Sequence, residues 1–88
     1  MKIRFVGIDP DTGQGNSSTV WVDEESGDLL VQSYTANEEE IAGVLAAGHG
    51  QDHDNTVPEH ESVIRIPARM VPILRKACDD AERHSKLH

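Results

Sequence analysis

Eighty-eight residues carry sixteen Asp and Glu against eight Lys and Arg, for a net charge of −8, with one Phe, one Trp, one Tyr and one Cys. A lone cysteine excludes an internal disulfide framework and a cysteine-based zinc cluster, and fits a reducing, cytoplasmic setting. The missing long apolar run argues against a leader or membrane span, and the acidic bulk opposes direct contact with nucleic-acid phosphates.

In chain order, Lys2 to Ile8 alternates charged and apolar residues as a half-buried strand does. Asp9 to Asn16 concentrates turn formers and reads as a loop. Ser18 to Asp23 is a second strand, with Val20 and Val22 on one face and Thr19 and Trp21 on the other. Glu24 to Gly27 makes a short turn in which Gly27 supplies positive φ, and Leu29 to Thr35 continues as a third strand. Asn37 followed by Glu40 has the spacing of a capping box. Ile41, Val44 and Leu45 then form an apolar stripe that stops at Gly48. His49 to Glu61 is polar apart from Val57 and reads as an exposed, mobile loop. Ser62 to Ile66 is a fourth strand. Pro67 and Pro72 place the start of the last regular helix near Arg69 or Met70, with Met70, Ile73, Leu74, Ala77 and Ala81 on its apolar face.

The order β-β-β-α-β-α predicts a single α+β domain spanning 1–88. The economical arrangement is a small antiparallel sheet with both helices packed on one face, because each amphipathic helix needs an apolar surface to cover.

Charge is segregated along the chain. No Lys or Arg lies between Phe5 and Ile64, where thirteen Asp and Glu fall, whereas six of the eight basic residues lie from Arg65 onward. Arg65, Arg69, Arg75 and Lys76 could meet Lys2 and Arg4 in an anion-binding patch. The commoner use of such residues is to neutralise acidic loops of the same molecule.

Five segments invite chemical or targeting readings. Phe5-Val6-Gly7-Ile8-Asp9, followed by a Gly-rich turn and two strands, resembles the opening of RNase H-like nucleases and the first phosphate loop of sugar kinases and actin-like ATPases. That resemblance implies a metal-holding Asp9 or a phosphate cradle at Gly13. It covers only the first third of the chain, however, and two-metal chemistry needs further carboxylates from distant strands. Asp9-x-Asp11-x-Gly13 hints at a calcium loop but lacks the glycine and the closing glutamate of the EF-hand pattern. His49, His53 and His60, with Asp52, Asp54 and Glu61 between and beside them, are zinc- or nickel-type ligands, so a metal- or small-ligand-binding module is an alternative. Cys78 has neither base nor electropositive pocket in its sequence neighbourhood and reads as a buried or half-buried small residue on the last helix. Ser85-Lys86-Leu87 would be a peroxisomal address only at the extreme C-terminus, and His88 follows it.

Two stretches carry a family resemblance. Val20-Trp21-Val22-Asp23-Glu24-Glu25-Ser26-Gly27-Asp28-Leu29-Leu30-Val31-Gln32 and Glu61-Ser62-Val63-Ile64-Arg65-Ile66-Pro67-Ala68-Arg69-Met70 look like small uncharacterised acidic proteins of filamentous actinobacteria, often encoded beside helix-turn-helix regulators. The resemblance implies association with a regulator and brings no active-site residue.

The expectation is a non-enzymatic regulatory or accessory protein without a cofactor. It would bind a protein partner, such as a basic or DNA-binding regulator, or form a homodimer. The expected contact residues are Trp21, Asp23, Glu24, Glu25, Asp28 and Tyr34. An exposed aromatic cluster of Trp21 with Leu30 or Tyr34 would mark such a surface.

Overall fold

A computed structural model describes residues 1–11 and 17–85. The elements run β1 (Ile3–Ile8), β2 (Thr19–Asp23), β3 (Leu29–Gln32), β4 (Tyr34–Thr35), α1 (Glu38–Ala47), β5 (Ile64–Arg65) and α2 (Val71–Ser85), with a 3-10 turn at Ala68–Met70 leading into α2. This is the α+β class in the expected order. Two long strands divide differently from the reading above. Leu29 to Thr35 breaks at Ser33, and Ser62 to Ile66 shortens to Ile64–Arg65. The strands therefore form two antiparallel sheets, β1-β2-β3 and β4-β5. Where the sequence reads as one core, the chain packs as two compact units, 1–33 with 66–88, and 34–65.

In the first unit the hairpin forms because Gly27 takes φ 82° between two strand-forming runs. Its amide donates to the Asp23 carbonyl at 2.8 Å, and the Asp23 side chain accepts the Glu25 amide at 3.0 Å. Val20 pairs with Val31, and Trp21 with Leu30. On the other side Phe5 pairs with Trp21 and Gly7 with Val20, so Val6 is the extra residue of a bulge in β1.

Helix α2 lies across all three strands. Its buried residues Ala77 and Ala81, with Met70 just before it, close on Val20 and Val22, while Ile73 and Leu74 pack at the margin. Burying Met70 and the two valines contributes about 1.5–3 kcal/mol each. Pro72 occupies the first turn, where an amide has no helical acceptor to lose. The expected stripe is thus the observed one, but Cys78 departs from it. It is exposed, because one residue on from Ala77 turns the side chain about 100° around the helix, away from the sheet.

In the second unit Asn37 forms a complete capping box. Its Oδ1 accepts the Glu40 amide at 2.8 Å, and the Glu40 carboxylate accepts the Asn37 amide at 2.8 Å. Gly48 ends the helix at φ 87° with its amide on the Val44 carbonyl. Tyr34 pairs with Arg65 and Thr35 with Ile64. The 49–61 segment is exposed apart from half-buried Val57 and Pro58. It is fastened to α1 by Asn55, which donates to the Leu45 carbonyl at 2.8 Å. No helix among the described residues is long and apolar enough to cross a membrane.

Candidate functional site

The candidate site is built on the β1-β2-β3 sheet. Alternation along a strand sends neighbouring side chains to opposite faces. Val20 and Val22 point to α2 and are fully buried, so Trp21 between them points to the opposite face. The ladder sets Phe5 on one side of Trp21 and Leu30 on the other. Phe5 is 55% exposed and Leu30 41%, with Ile3 and Ile8 also exposed on β1. Trp21 is half-buried. The result is an accessible apolar row across three strands, the chemistry of which suits a contact surface.

The residues expected to act with Trp21 are distributed as follows. Leu30 is its ladder partner. Tyr34 is not in that ladder, because the break at Ser33 places it in β4 opposite Arg65. Asp23 is opposite Ile3 and holds the hairpin turn through the Glu25 amide. Glu24 is engaged by Arg4, whose Nε donates to Oε2 at 2.7 Å. Glu25 and Asp28 are exposed at the turn. Of the acidic group, these two are the members presented to solvent.

Arg4 also lies 3.1 Å from the buried Asp80 Oδ2, an ion-pair distance at which no aligned hydrogen bond forms. The hydrogen bond to Glu24 and the neighbouring Asp80 raise the Arg4 pKa and fix its charge. Asp80 was missed by hydropathy because a carboxylate on the buried side of α2 looks like a solvated residue. The signal that could have found it is its place three residues after Ala77 on the same face.

Asp9 is buried, and its carboxylate receives Arg69 Nε at 2.8 Å from both oxygens. Its Oδ1 also accepts the Asp11 amide at 2.9 Å. The Arg69 hydrogen bond, then that of the Asp11 amide, hold the Asp9 carboxyl below its ordinary range against the opposing effect of burial. The carboxylate that resembles a metal ligand in sequence is therefore engaged by an arginine. The phosphate cradle and calcium loop involving Gly13 lie outside the described residues, as does Lys86-Leu87-His88.

Two basic residues of the last third pair with acids earlier in the chain. Arg69 pairs with Asp9, and Arg65 Nη1 donates to Glu40 Oε2 at 2.7 Å. The Asn37 amide and then Arg65 lower the Glu40 pKa. Arg75 and Lys76 are exposed on α2.

His49, His53 and His60 are exposed. His49 Nδ1 lies 2.7 Å from the Asn55 amide oxygen, within hydrogen-bond reach. Gly50 and Asp52 take positive φ, so the segment is not helical and the four-residue spacing of His49 and His53 does not put them on one face. Among the described residues no three His, Cys, Asp or Glu side chains are gathered as a metal site would require.

No protein-family model, curated protein or solved structure matches this chain. The functional reading therefore rests on the geometry of its own residues.

Proposed function

We propose that this is a non-enzymatic accessory or regulatory protein that binds a protein partner through the outer face of its three-stranded sheet. The observation that carries this is the accessible Phe5–Trp21–Leu30 row; Glu25, ion-paired with the Met1 ammonium, and Asp28 are exposed at the β2–β3 turn of the same sheet. Large aromatic side chains supply most of the binding energy where they are desolvated, and a charged rim adds orientation and on-rate. The acidic rim favours a basic partner, such as a DNA-binding regulator.

The test is affinity capture from native cell extract with the wild-type protein, a Trp21→Ala variant and a Glu25→Lys/Asp28→Lys variant. Lys76→Ala, on the exposed side of α2, serves as the control. Proteins retained by wild type and control but lost by both face variants support the reading. An identical set retained by all four proteins overturns it. Sedimentation of the purified chain reports whether the partner is a second copy.

A further inference from the structure

The second unit holds a groove that the sheet-face reading does not use. It has a volume of about 480 Å³ and runs between α1 and the β4-β5 ladder, with Glu39, Gly43 and Ala47 along one wall and Val63 and Ile64 along the other. The α1 wall repeats every four residues, so these three side-chain positions stack along one helix face for about 12 Å. Most of the lining is apolar, and the volume lies within the roughly 300–1,000 Å³ typical of binding clefts.

Gly43 is the informative position. A glycine inside a helix costs about 0.5–1 kcal/mol relative to alanine. Here a β-carbon would meet nothing within 4 Å, so no contact within the chain requires the missing side chain. Its effect is to keep the groove open. The unit also leaves its own apolar groups short of cover. No residue from Tyr34 to Arg65 is buried, and Ile41, Val44, Leu45 and Val63 are only half-buried. A ten-residue helix is marginal without tertiary packing, so an occupant of the groove would complete a core that the unit lacks.

Charge selects the occupant. Residues 34–65 contain seven Asp and Glu and a single arginine, Arg65, whose guanidinium bonds Glu40. Glu38 and Glu39 stand beside the groove at the first turn of α1. An anionic ligand is repelled here, whereas Lys or Arg flanking an apolar stripe is complementary. A wall about two turns long, with the small residues Gly43 and Ala47 following Glu39, fits another helix, whose apolar side chains at i, i+4 and i+7 would enter between Ala47 and Ile64. We propose that this groove binds a cationic amphipathic helix of a partner protein.

The probe is a fluorescein-labelled, end-capped 14-residue peptide of Leu and Lys with its leucines on one helical face. A scrambled peptide of the same composition and a Leu–Glu counterpart are the controls. Anisotropy with the full chain should show binding of the amphipathic cationic peptide, and amide NMR shifts should centre on Gly43, Ala47 and Ile64. Gly43→Leu fills the groove, keeps every charge and favours the helix. It should weaken binding by at least about tenfold, or about 1.4 kcal/mol, with an unchanged far-UV spectrum. Lys76→Ala, exposed on α2, should bind the peptide as wild type does. Equal binding by Gly43→Leu, by the scrambled peptide or by the acidic peptide overturns the proposal, as does loss of binding in Lys76→Ala.

Discussion

Arg69, at the turn before α2, places its Nε 2.8 Å from both carboxylate oxygens of Asp9, sixty residues earlier and at the end of β1. The Gly7-Ile8-Asp9 segment that resembles a nuclease opening is thereby explained as a helix anchor. Gly7 gives α2 room to approach and Asp9 fixes the turn from which the helix departs. The same pair converts the segregated charge of the sequence into a tie between its acidic and basic parts.

The pair has a pH signature. Asp9 has a folded pKa below its ordinary value, so its contribution is fully present above the unfolded aspartate range, near about 4. It is lost as pH falls through the lower folded value. Asp9→Asn should lower thermal stability at neutral pH and flatten the acid limb, so that variant and wild type converge in acid. Thermal unfolding followed at a series of pH values measures this. An acid limb as steep in the variant as in the wild type would show that other carboxylates carry it.

Gly7 is required by the packing of α2. A β-carbon there would lie 2.8 Å from Ile73 Cγ2, inside any van der Waals distance. Gly7→Ala should therefore cost about 1–3 kcal/mol as an overpacking change. Ile73→Ala alone loses apolar contact but opens the space. The double variant should be more stable than the sum of the two single losses predicts, because the clash is gone. Chemical denaturation of the four proteins completes the cycle. Strict additivity would mean that the helix does not press on Gly7.

Much of the local structure was legible in the sequence, and the reasons are local. Asn37 and Glu40 announce the start of α1 because a capping box is a short-range pattern. Met70, Ala77 and Ala81 announce the buried face of α2 because a helix repeats every 3.6 residues. Two-fold strand alternation likewise separated Trp21 from Val20 and Val22. The break at Ser33 was not legible, since Leu29 to Thr35 keeps strand-like composition throughout. Only the pairing of Tyr34 with Arg65, thirty-one residues on, ends one sheet and begins another. The pairing of Asp9 with Arg69 and of Asp80 with Arg4 was hidden for the same reason, as each joins residues far apart in the chain. The groove beside Gly43 had one sequence signal, a glycine inside an otherwise good helix.

The capping box should be the principal local determinant of α1, because no residue of that helix is buried. Asn37→Ala removes the acceptor of the Glu40 amide and should cost about 1 kcal/mol. The loss should appear as faster amide exchange across Ile41–Ala47, with little change in α2. Asn37→Asp keeps an acceptor at the helix N-terminus and should restore protection. Equal exchange in all three proteins would show that packing rather than capping sustains the helix.

The two faces of the three-stranded sheet should respond unequally to one kind of substitution. Val22→Thr leaves volume nearly unchanged but places a hydroxyl in a site with no solvent exposure, at a cost of about 1–3 kcal/mol. Phe5→Thr puts a β-branched residue that suits a strand in place of the ring and forfeits mainly the cross-strand contact with Trp21, about 0.2–1 kcal/mol. The smaller loss from the larger side chain follows because Phe5 is mostly in water already. Trp21 is the chain's sole tryptophan, so its emission reports the same row directly. Phe5→Thr should shift that emission to longer wavelength by uncovering one side of the indole, whereas Val22→Thr should leave it in place while the protein is folded. If Phe5→Thr proves the more destabilising change, the outer face is part of a core and cannot be the partner surface.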